Sequence, residues 1–151
     1  MTRVKYRGLL ALALCAAVTG CSTNFPNTPT LPDPIVITEP PFTGTVTING
    51  AVTDPFTVTG SGAVNITVMS LADSNGPADI GVTGRIRVGL ALGTWNGTVC
   101  AVTVPTLFND NAFVSTVVTG AVTSAGLLCA RISDVGKLTE PVSFELQITH
   151  P

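Results

Sequence analysis

The sequence predicts an all-β protein, an antiparallel β-sandwich of about eight strands, and two observations carry that prediction. Val, Thr and Gly dominate a chain in which only 11% of residues are charged, and β-branched side chains suit a pleated, half-buried surface while glycine supplies turn dihedrals. Beyond residue 42, short runs alternating apolar with polar residues recur to the end, and no stretch shows the 3.6-residue period of an amphipathic helix.

The elements follow in order. GTVTI (44–48) places Val46 and Ile48 on one face, and Asn49-Gly50 turns the chain. FTVT (56–59) is next, then AVNITVMS (63–70), with Val64, Ile66 and Val68 opposite Asn65, Thr67 and Met69. LADSNGPAD is a loop. In IGVTGRIRVGLAL (80–92), Ile86, Val88, Leu90 and Leu92 share a face opposite Arg85 and Arg87. TVCAVTV (98–104), AFVSTVV (112–118), GLLCARI (126–132) and VSFELQIT (142–149) complete the set. Such alternation belongs to antiparallel sheets with one wet face, two of which pack into a sandwich of about 100 residues. The span 42–151 fits one such domain.

The amino terminus reads differently. MTRVKYR carries Arg3, Lys5 and Arg7, and GLLALALCAAVT (8–19) is an uncharged apolar run ahead of Gly20 and Cys21. This is the layout of a secretory signal peptide over residues 1–20, and the run is shorter than the roughly 20 residues a spanning helix needs. VTGC (18–21) resembles the lipobox of bacterial lipoproteins. The resemblance implies cleavage before Cys21, a diacylglyceryl thioether on its sulfur and an acylated amino terminus, hence export and a lipid anchor in the cell envelope. Ser22 in place of Asp implies the outer membrane if the cell is Gram-negative.

From residue 21 to 41 the chain holds six prolines and no glycine, which favours an extended tether at about 3.1 Å per residue. IVIT (35–38) offers an alternative, pairing as a first edge strand. Removal of residues 1–20 leaves four Lys or Arg against nine Asp or Glu, a side-chain balance of −5. That excludes nucleic-acid binding, which needs clustered positive charge.

With Cys15 in the cleaved segment and Cys21 lipidated, Cys100 and Cys129 remain to form a disulfide in an exported protein. Alternation in GLLCARI sets Cys129 on the side of Arg131, the outer face, so the bridge is expected to pin strands from outside.

SAGLLCARISDVGKLTEPVSFELQITHP resembles the closing portion of the bacterial pre-peptidase C-terminal domain, with Gly126, Ile132, Asp134 and Phe144 on its pattern and Leu128 where an aromatic is usual. PFTVTGSGAVNITVMSL resembles that domain's earlier strand, turn, strand segment. The resemblance implies a jelly-roll-like sandwich and an accessory module without catalysis of its own, here with no peptidase attached.

Signals for chemistry are sparse. The one histidine, His150, stands next to last, where a solvated, frayed position is expected rather than a catalytic cleft. No nucleophile elbow, zincin helix, phosphate loop or dinucleotide fingerprint occurs, and no cofactor is indicated. Asp73, Asn75 and Asp79 share one loop and supply the hard oxygens calcium prefers, though polar loops of this kind are ordinary connections. GTWNG holds the only tryptophan, Trp95, beside Asn96. An indole in a turn stacks on a sugar or anchors a protein partner, or else folds back over one end of the sandwich. The reading that results is a lipid-anchored, non-catalytic binding module for polysaccharide or an envelope protein. The alternatives are a structural subunit of an envelope assembly and a hydrolase with an unrecognised site.

Overall fold

A computed structural model describes residues 35–73 and 86–151. The expected signal segment, Cys21 and most of the proline-rich stretch lie outside the described residues, as do Asn75, Asp79 and Arg85. Among the described residues ten strands form: β1 (Ile37–Thr38), β2 (Phe42–Val46), β3 (Ala51–Val58), β4 (Gly62–Asp73), β5 (Val88–Trp95), β6 (Cys100–Ala101), β7 (Phe108–Ala112), β8 (Val117–Val122), β9 (Gly126–Ser133) and β10 (Val142–His150). A single 3₁₀ turn, Pro105–Leu107, leads into β7. Among the described residues, no helix is long and apolar enough to cross a membrane.

Four of the ten strands are halves of two broken ones. β1 and β2 lie along the same side of β10, both antiparallel to it. They are interrupted at Pro40 and Pro41, which have no N–H to donate. β6 and β7 likewise share one side of β5. Each sheet is therefore four strands wide, ordered β1/β2-β10-β4-β8 and β3-β9-β5-β6/β7. With eight strands so counted, the chain changes sheet at every step but β5 to β6/β7, the order of a jelly roll. The alternation explains the core: Val142, Phe144, Leu146 and Ile148 of β10 and Val64, Ile66 and Val68 of β4 meet Phe56, Val58, Leu90, Leu92 and Ile132 from the facing sheet, all buried. Phe144 meets Phe42 edge to face, with ring centroids 5.0 Å apart.

Several element boundaries move. Thr38 pairs with Thr149 and Glu39 N–H donates to the Ile148 carbonyl at 3.0 Å, so the sandwich begins ahead of residue 42 and the edge-strand option for IVIT holds at Ile37–Thr38. β2 stops at Val46, and Ile48 is exposed rather than inward, because Thr47–Gly50 is a turn with Asn49 at φ +57°. That turn joins opposite sheets. β3 starts before the expected FTVT and carries Pro55 mid-strand. Pro55 is tolerated because β3 is an edge, where its missing donor faces away from β9. The run expected as one strand over 112–118 is two strands in different sheets, broken at a turn where Phe113 N–H meets Thr116 Oγ1 and Ser115 adopts φ +72°. Of TVCAVTV only Cys100–Ala101 pairs. Gly120 is an inward gap in β8. A Cβ there would lie 2.6 Å from Leu92, whose side chain fills the space.

Asp134, at the end of β9, ties the corner between β2 and β3. Its carboxylate accepts from the N–H groups of Asn49 at 2.8 Å, Lys137 at 2.9 Å and Leu138 at 3.1 Å. These backbone donors, Asn49 first, hold its pKa below the ordinary 3.8, against a smaller opposing effect of burial. A depressed carboxylate contributes stability that is present above its unfolded value and lost as pH falls through the folded one. Asp134→Asn is expected to cost about 1–2 kcal/mol in urea unfolding at pH 7. The gap from the native protein should close as pH drops below 3.8; a gap that persists undiminished in acid contradicts the assignment.

Candidate functional site

The site grows from one covalent bond. Cys100 and Cys129 are joined, with their Cα atoms 5.8 Å apart. β6 and β9 flank β5 on opposite sides, and neighbouring strands lie about 4.8 Å apart, so a flat arrangement would separate the two cysteines by about 10 Å or more. The segment 96–101 is instead folded over the outer face of the sheet. Gly93, paired with Cys129 and lying beneath the crossing, makes this fit: a Cβ there would stand 2.7 Å from the Ala101 carbonyl oxygen and 2.9 Å from Cys100 Sγ. The bridge is on the outer side, as alternation predicts, yet Cys129 is fully buried because the folded segment covers it.

The loop that makes the crossing is locally specified. Asn96 Oδ1 accepts from the N–H groups of Thr98 at 3.0 Å and Val99 at 2.8 Å, and Gly97 takes φ +96°, which favours glycine. The acceptor atom of Asn96 is thus engaged in shaping the turn. Trp95 lies at the end of β5 rather than within the turn, and is half-buried.

Between the folded segment and β3 and β9 opens a depression of about 300 Å³ lined by Trp95, Thr98, Val99, Cys100, Thr53 and Arg131. A second, of about 310 Å³, lies on the other side of Arg131 and is lined by Ala91, Val102, Thr103, Pro105, Phe108 and Ser133. Arg131 is the shared wall. The result is a shallow cleft with a flat aromatic in each half, hydroxyls at Thr53, Thr98 and Thr103, and a guanidinium between. Sequence reasoning found Trp95 but not Thr53, Phe108 or the place of Arg131 between two depressions. The outward register of Arg131 beside Cys129 was the available signal; that the bridge folds a loop across the sheet was not.

His150 corrects an expectation. It is 1% exposed, the fifth inward residue of β10 after Val142, Phe144, Leu146 and Ile148. Its ring stacks on Phe56 at 5.5 Å, Nε2 lies 2.9 Å from Glu39 Oε1, and Nδ1 lies 3.0 Å from the Pro151 carbonyl oxygen. The period-two series through 142–148 extends to 150 and could have placed it inside; position near the terminus argued otherwise. Both ring nitrogens are engaged, so the imidazole has none to offer a substrate and acts as a latch between β1 and the body. Asp54 nearby has its pKa raised, first by burial and then by the charge of Glu39.

Of the calcium candidates, Asp73 ends β4 and lines a depression of about 180 Å³ with Lys137 and Glu140, while Asn75 and Asp79 lie outside the described residues. Among the described residues, no three His, Cys, Asp or Glu side chains converge. No protein-family model matches the chain, and no curated protein is significantly similar to it.

Proposed function

We propose that this protein is a lipid-anchored, non-catalytic binding module of the cell envelope whose jelly-roll sandwich takes polysaccharide in the cleft on its outer face. The observation that carries the reading is the half-buried Trp95, fixed by the Cys100–Cys129 bridge in an open depression beside Thr53, Thr98 and Arg131. A flat apolar ring flanked by hydroxyl and guanidinium donors suits the two faces of a sugar, one C–H and one hydroxyl. The jelly-roll order also supports the resemblance to the pre-peptidase C-terminal domain and, with it, an accessory role. The hydrolase alternative loses its sole histidine to the latch with Glu39.

Retention of detergent-solubilised full-length protein on immobilised polysaccharides tests the cleft. Trp95→Ala should abolish retention while costing about 1 kcal/mol of stability, the range for a position outside the core. A loss of about 3–5 kcal/mol would mark Trp95 as core and remove the reading's aromatic support. The anchor is tested by metabolic labelling with a fatty acid: Cys21→Ser should take up none and leave the membrane fraction, whereas continued labelling would defeat the lipobox reading.

A further inference from the structure

The charge of the cleft narrows the class of ligand. Arg131 occupies an outward position of β9, between Thr53 on β3 and Ala91 on β5. The other described cations are committed: Arg87 lies 4.3 Å over the Phe113 ring and donates to the Asn111 carbonyl, and Lys137 donates to the Asp110 carbonyl and to Asn111 Oδ1. Among the described residues, no ion pair or hydrogen bond engages the Arg131 guanidinium. No Asp or Glu lines either depression that it divides. An exposed guanidinium with no carboxylate lining either depression is a local positive charge that can meet a single carboxylate despite the acidic balance of the chain, and its planar fork matches that group with two parallel hydrogen bonds.

We infer that the cleft takes a carboxylated polysaccharide, a polymer of uronic acid residues, with sugar rings against Trp95 and Phe108 and a carboxylate on Arg131. The inference rests on the polysaccharide reading above and deepens it. Two depressions of nearly equal size in succession, about 300 and 310 Å³, fit a repeating chain better than a single anchor. Phe108 is 44% exposed, its ring free to receive a second sugar face, and Pro105 and Val102 extend that apolar wall. Ala91 on the floor lets the chain approach the sheet closely beside the guanidinium.

Calorimetric titration of the full-length protein in detergent separates the possibilities, using polygalacturonate, its fully methyl-esterified form and polyaspartate as probes. Polygalacturonate should bind at least tenfold more tightly than the ester, with affinity falling as salt is raised. Arg131→Gln should bring polygalacturonate down to the level of the ester, and Arg131→Lys should recover only part of the loss, because an ammonium cannot form the paired contact. Each variant's melting temperature checks that it is folded, and the polymer comparison on native protein stands even if one is not. Equal binding of both polymers overturns the inference and leaves the polysaccharide reading standing. If neither polymer binds, both fail. Polyaspartate binding that matches polygalacturonate and survives Trp95→Ala assigns the surface to acidic peptide and overturns the inference too.

Discussion

Replacing both Cys100 and Cys129 with serine is expected to lower stability by about 3–4 kcal/mol, the chain-entropy value for a crosslink closing a loop of this size. The residues are separated by 29 positions and belong to strands that are not neighbours. In a domain of this length that loss corresponds to a fall in melting temperature on the order of 10–20 °C. The native state should survive, because the core built from β4, β5, β9 and β10 does not depend on the bridge. What should not survive is the folded-over segment. β6 pairs with β5 at only two positions, Thr94 with Ala101 and Trp95 with Cys100, too few to hold the segment on the sheet once the bond is gone. Amide exchange at Thr98 and Val99, whose N–H groups face Asn96 Oδ1, reads that release against thermal unfolding of the same protein. Unchanged protection in the serine variant would mean that the loop holds itself and the bridge only decorates it.

His150→Ala is expected to cost about 2–4 kcal/mol, the range for truncating a large buried side chain. The ring is packed on Phe56 and sealed from solvent, so its removal leaves a cavity between β10 and β3. Glu39, 31% exposed, can turn to water and adds little to the loss. His150→Phe keeps the ring volume and loses the contacts of both nitrogens, with Glu39 and with the Pro151 carbonyl, so it should cost about 1–2 kcal/mol, and it should free the Glu39 amide from the Ile148 carbonyl at the start of the sandwich. Chemical denaturation measures the first effect and hydrogen exchange the second. A cost near zero for His150→Ala would return the residue to the solvated terminus that its sequence position implies.

The bridge and His150 also mark where sequence stops being legible. The inward series of β4, β5, β9 and β10 could be read directly because each is a central strand whose alternation is enforced by one buried face. The disulfide was accessible by counting cysteines in a chain whose amino terminus predicts export, and its outward side by register. Edges were harder. β3 tolerates Pro55 because an edge strand has donors to spare. β1 pairs despite the prolines that follow it, and Ala112–Val118 keeps one alternating pattern through a turn that changes sheets. In each case local composition signals a break or a continuation that the tertiary pairing overrides. The cleft was hidden for a related reason. Trp95, Arg131 and Phe108 come from three strands: pairing on either side of Ala91 sets Arg131 and Phe108 on one face, and the covalent fold-over at Gly93 adds the wall beside Trp95; nothing in the spacing of Cys100 and Cys129 reports that geometry.

Trp95 is the only tryptophan in the chain, so its fluorescence reports on the cleft without a label. Titrating polygalacturonate into oxidised full-length protein should shift Trp95 emission saturably, and prior reduction of the Cys100–Cys129 bridge, at a temperature where the protein stays folded, should abolish the shift. Emission that does not respond to the polymer, or that responds equally after reduction, would contradict a binding cleft built by the disulfide.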